Sequence, residues 1–200
     1  MNYQPEAFFD SLYLSKNLGK ELGDIAFSEI NLFSYLACLL SLYDANPVSF
    51  WGYKFIKNDF GSPYSKELEQ SIETSIEMEL FEYVDNTFFT ITEKGSKIFE
   101  RLEEHTQYQD RMKYLRTVYE CLTMLPYGVV KESISNEPLL SSARNHETRK
   151  ILIEDESGAI AVLYNNFEFL KKALSNEYDD LIVPAVVWLR KIFEQRSVQA

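Results

Sequence analysis

The sequence predicts a mainly helical protein with a single small β-hairpin, and three observations predict it. Leu68, Ile72, Ile76 and Leu80 recur every four residues, the spacing of one helix face, and the back of that helix is rich in glutamate. Asp85-Asn86-Thr87 is a turn signal lying between β-forming residues over Glu82 to Thr92. Seven glycines and six prolines in 200 residues are too few for the many tight turns of an all-β sandwich.

Taken in order, residues 1–26 read as a lead-in with one short helix around Glu6 to Leu14. Ser28 to Tyr43 carries Ile30, Phe33, Leu36, Ala37, Leu40 and Leu42, a density that predicts a helix buried on most sides. Asn46-Pro47 breaks that pattern. Pro47 suits a first helical position and predicts a second helix reaching about Asn58, with an aromatic face of Phe50, Tyr53 and Phe55. In Gly61-Ser62-Pro63, Gly61 supplies a turn, Ser62 an N-cap and Pro63 position N1 of a helix over Tyr64 to Glu82.

After the hairpin, Thr92 reads as the N-cap of a helix from Glu93 to about His105, and Thr90 with Glu93 is an overlapping capping-box match. A polar joint over Glu103 to Asp110 leads to a helix from Arg111 to Leu125, ended by Pro126-Tyr127-Gly128. Val129 to Ser142 holds a short helix interrupted at Pro138. Between Ala143 and Asn166 a hairpin and two helices meeting at Gly158 both fit. Phe167 to Leu174 and Asp179 to Glu194 read as helices. The chain therefore divides into 1–26, an N-terminal domain over 27–105 and a mainly helical region over 106–200.

Composition narrows the function classes. An apolar fraction of 46%, with 14 phenylalanines and 13 tyrosines, supports a packed core. A formal charge of −11 and a pI near 4.7 disfavour a general nucleic-acid coat or an anionic membrane as partner. No basic-then-apolar leader opens the chain, and the longest apolar run, around Leu32 to Leu42, is short of the roughly 18 residues that span a bilayer. Cys38 and Cys121 lie in apolar helical patterns and read as buried thiols of a reducing cytoplasm, with a disulfide as the alternative.

No catalytic constellation stands out, and no cofactor or metal site is expected. His105 and His146 lack metal-ligand spacing with the cysteines, and no phosphate loop, dinucleotide fingerprint or nucleophile elbow occurs. Glu154-Asp155-Glu156 reads as an acidic turn, because the Glu-x-Lys of a metal nuclease is missing. Binding has two candidate sources. Trp51, Tyr83, Phe88 and Phe89 belong to an aromatic load beyond what a small domain hides. With Glu69, Glu73 and Glu77 they form the candidate protein interface. Lys94, Lys97 and Arg101 fall at i, i+3 and i+7 on one helix face and form the candidate phosphate contact.

Gly61-Ser62-Pro63-Tyr64-Ser65 before the third helix and Thr92-Glu93-Lys94-Gly95 after the hairpin make Asn31 to Leu102 resemble a winged-helix domain of bacterial accessory proteins, the hairpin being the wing. The winged helix followed by a helical region resembles the middle components of three-component bacterial defence systems, the small Lamassu subunit among them. There such a subunit accompanies an ATPase of the structural-maintenance-of-chromosomes type and an effector. The resemblance implies a cytoplasmic, non-enzymatic scaffold or regulatory subunit with a protein partner, and leaves a homodimer open. The rival reading is a DNA-binding regulator or antitoxin-like protein. Against it, the helix that would enter the major groove carries Glu67, Glu69, Glu73, Glu77, Glu79 and Glu82 and only Lys66 in return.

Overall fold

The computed structural model describes residues 3–144, 149–154, 158–174 and 180–197. Nine α-helices and a three-stranded antiparallel sheet are built from these residues, together with a second, two-stranded sheet. The chain is mainly helical, as the apolar periodicity predicts.

The first difference from the sequence expectation lies at the N-terminus. Helix α1 runs over Pro5–Leu22 instead of stopping near Leu14, with Pro5 in its first turn, where a missing N–H costs nothing. It is a core helix, not a lead-in. Phe9, Leu12, Leu14 and Leu18 are fully buried, and the Phe9 ring stacks on Tyr108 at 4.1 Å between centroids. Strand β1 (Ile25–Ala26) follows, and then α2 (Phe27–Tyr43), buried on nearly every side as its sequence predicts. The Glu29 carboxylate accepts the Ala26 N–H at 2.8 Å and so holds the start of α2.

The helix expected from Pro47 to Asn58 does not form. Val48–Trp51 makes one 3-10 turn, and Gly52 (φ 87°) then reverses the chain in the left-handed region. Beyond it the backbone is extended, with Trp51, Tyr53 and Phe55 buried and Gly52 and Lys54 exposed, the period-two alternation of a strand. Strand β2 (Ile56–Lys57) pairs with β3 (Pro63–Tyr64) across a turn in which Asn58 Oδ1 accepts the N–H groups of Phe60 and Ser62. Pro63 is thus a strand residue, and α3 starts later than predicted, over Lys66–Glu77 with Ser65 before it. The Ser65 N–H donates to Asn31 Oδ1 of α2 at 2.7 Å, which fixes where α3 begins.

Leu68, Ile72 and Leu80 are buried and Ile76 is partly so, as their four-residue spacing requires. The helix ends in a Schellman turn. Leu80 N–H donates to Ser75 O and Glu79 N–H to Ile76 O, with Glu79 left-handed at φ 59°. The predicted hairpin follows as β4 (Phe81–Tyr83) and β5 (Phe88–Ile91), closed by Asp85, whose Oδ1 accepts the N–H groups of Thr87 and Phe88. Strand β1 adds to β5, giving the order β1-β5-β4.

Helix α4 (Glu93–Leu102) is capped by Thr92, whose Oγ1 accepts the Gly95 N–H at 3.0 Å and donates to the carbonyls of Glu79 and Leu80. Helices α5 (Gln109–Met124), α6 (Tyr127–Ser135) and α7 (Pro138–Ala143) continue the chain. The region left open by the sequence resolves in part. Ile151 bridges to Ile56, Leu152 N–H donates to Phe55 O, and Lys57 N–H donates to Lys150 O, so this stretch lies along β2. Helix α8 (Gly158–Ala173) takes the helical option, and α9 (Ile182–Ser197) packs on α5 and α6, with Ser133 Oγ donating to Leu189 O at 2.8 Å. Residues 145–148 and 155–157 lie outside the described residues.

Candidate protein-docking surface

Strand register decides which aromatic side chains reach solvent. Tyr83 pairs with Phe89 and Phe81 with Ile91, so these four share one sheet face, and Ile25 joins them opposite Phe89. That face packs on α1, and Phe81, Phe89 and Ile25 are buried. Tyr83 sits at its open end and remains 61% exposed. The opposite face carries Glu82, Val84, Phe88 and Thr90, with Val84 and Phe88 both exposed. Val84 N–H donates to Phe88 O and Thr92 N–H to Leu80 O, so the backbone groups of Phe81 and Tyr83 face away from β5 along the outer edge of the sheet.

Two of the aromatic residues expected at an interface are therefore core residues. Phe89 is buried by the alternation of β5, and Trp51 lies under the Arg111 guanidinium, 3.8 Å from ring centroid to Cζ. Phe60, part of the same aromatic load, is 94% exposed at the tip of the β2–β3 turn, and Val84 is an exposed apolar residue that sequence reasoning did not select. Register would have found Val84, because it alternates with buried Phe81.

On α3, Glu73 and Glu77 are exposed and Glu69 is half-buried, accepting the Tyr64 hydroxyl. Burial and Glu69 raise the Tyr64 pKa to about 12. Lys94, Lys97 and Arg101 do share a face, along an open groove with Glu79 and Glu93. Two of these cations are engaged, Lys94 with Glu79 at 3.4 Å and Lys97 with Glu93 at 2.6 Å. Such exposed pairs are worth little, yet they lower the net positive potential of the groove.

The interior holds a polar cluster that no motif announces. Arg111 of α5 donates from Nε and Nη2 to the two carboxylate oxygens of Asp10 of α1, at 2.5 and 2.7 Å. The Tyr53 hydroxyl donates to the same carboxylate at 2.5 Å, and Ser34 Oγ bonds to Tyr53 and reaches Asp10 at 3.4 Å. Burial opposes the charge on Arg111, but Asp10 overrides it and raises the guanidinium pKa. Burial, reinforced by Asp10, holds the Tyr53 phenol well above its ordinary range. Glu137 is a second buried acid, accepting the Tyr35 hydroxyl at 2.7 Å and the Leu139 and Leu140 N–H groups. Burial pushes its pKa up to about 7.

Both cysteines are free and buried, and burial raises both thiol pKa values. His105 is exposed and His146 lies outside the described residues, as do Asp155 and Glu156 beside exposed Glu154. Among the described residues no three His, Cys, Asp or Glu side chains are placed to hold a metal ion, and no helix is long and apolar enough to cross a membrane. Comparison with known proteins finds no matching family model, no matching curated protein and no matching solved structure.

Proposed function

We propose that this chain is a non-catalytic accessory subunit of winged-helix type that docks a protein partner on the β4–β5 hairpin and the acidic face of α3. The observation that carries the reading is the outer face of the hairpin, where Val84 and Phe88 stand exposed beside Glu82, with Tyr83 exposed at the edge. An apolar centre with an acidic rim fits a partner surface that is apolar within and basic around. The order α1-β1-α2-α3-β4-β5-α4, interrupted between α2 and α3 by the short β2–β3 hairpin and with β1 added to β5, supports the winged-helix assignment. The resemblance of the chain points to an ATPase of the structural-maintenance-of-chromosomes type, or its effector, as the partner.

The test is a titration of the protein against a purified candidate ATPase or effector. Val84→Ser with Phe88→Ser abolishes binding while leaving the circular dichroism spectrum unchanged, and Phe60→Ser leaves binding intact. Undiminished binding by the double variant sinks the reading. DNA contact through Lys94, Lys97 and Arg101 is the second reading, favoured by the shared groove of the three cations. It requires salt-sensitive binding that Lys97→Glu removes.

A further inference from the structure

We infer that the cavity between α2, the 47–55 segment and Ile153 is a binding site for a small apolar carboxylate. Its volume is about 270 Å³. That lies just below the roughly 300–1,000 Å³ of sites for drug-sized ligands, which sets the scale of the occupant. Val48, Phe55 and Ile153 supply apolar walls, and Cys38 and Tyr53 also line the cavity.

The charges around the cavity select the chemistry. Asp10 and Arg111 neutralise each other and are not among the lining residues, and the Tyr53 hydroxyl is committed to Asp10 and Ser34. Burial keeps the Cys38 thiol protonated. Among the described residues the lining therefore offers one formal charge, the ammonium of Lys54, which is exposed and has no ion-pair partner there. The Glu6 side chain lies against Gly52 but outside the lining, and its carboxylate accepts from Gln4 Nε2. One cation beside apolar walls matches a monoanion with a hydrocarbon or aromatic body. A phosphate ester would call for several converging donors.

The position gives binding a structural consequence. The 47–55 segment and Ile153 come from distant parts of the chain and are tied by the hydrogen bond from Leu152 N–H to Phe55 O. A ligand touching both walls strengthens that seam.

Octanoate and 1-octanol, titrated separately into the full chain with amide shifts followed by NMR, test the inference. Octanoate shifts the amides of residues 48–55 and Ile153 saturably, and octanol binds at least about fivefold more weakly. Lys54→Glu, a change at an exposed position, weakens octanoate by a similar factor and leaves octanol unchanged. No saturable shift with millimolar octanoate, shifts confined to other residues, equal binding of octanol, or indifference to Lys54→Glu each overturns it.

Discussion

Asp10 and Arg111, 101 residues apart in sequence, meet as a two-pronged ion pair whose side chains are 0% and 4% exposed. Removing one partner leaves an uncompensated buried charge. Arg111→Met or Asp10→Leu alone is expected to lower unfolding free energy by about 3–5 kcal/mol. The double variant Asp10→Leu with Arg111→Met costs less than either single change. Urea unfolding of the three proteins checks this, and additive losses would count against the pairing.

Glu137 gives stability an acid-side signature. Its folded pKa of about 7 lies above the ordinary 4.5, so between those values the folded state holds a proton that the unfolded chain has released. Stability from this group is therefore full below about pH 4.5 and declines as pH rises through about 7, by about 3 kcal/mol in all. Glu137→Gln keeps an acceptor for the α7 N–H groups and flattens that slope. Unfolding free energies of both proteins at pH 5 and pH 8 measure it.

Gly95 sits where α4 crosses the turn after α3. A Cβ there would strike the Leu80 carbonyl oxygen and come within 2.8 Å of Ile91 Cγ1. Ordinary helix propensity favours alanine over glycine by about 1 kcal/mol. Gly95→Ala is nonetheless expected to destabilise by about 1–3 kcal/mol, because backbone must shift to admit the methyl group. A higher melting temperature in the variant would contradict the close approach.

The two faces of the hairpin should separate under mutation. Phe89→Ala empties a core site and is expected to cost about 3–5 kcal/mol. Phe88→Ser, on the opposite face, and Tyr83→Ser, at the open end of the packed face, change exposed side chains and should stay within about 0.5 kcal/mol of the parent. Thermal melts of the three variants show whether the register is right.

Much of the frame was legible where local pattern and tertiary burial agree. The stripe of α3, the hairpin at Asp85, the Thr92 cap and helices α2 and α5 were read from spacing and turn chemistry alone. Helix α1 was read as stopping at Leu14, four residues short of buried Leu18, and the counter-ion of its buried Asp10 stands a hundred positions away, beyond any local window. The 48–58 stretch was misread because Pro47 and dense aromatics mimic a helix start. The alternation of buried Trp51, Tyr53 and Phe55 with exposed Gly52 and Lys54 was the better signal. At the candidate interface, counting aromatics could not distinguish Phe88 from Phe89. Strand register separates them.

The seam at Phe55 and Leu152 bears on how this chain can be divided. A fragment ending before residue 149 would leave the Phe55 carbonyl and the Lys57 amide without the groups that meet them in the whole chain, and would turn β2 into a bare edge open to adhesion between molecules. The N-terminal half is therefore not a transplantable cassette. Its smallest workable excision, for fusion or recombination alike, carries the later stretch along.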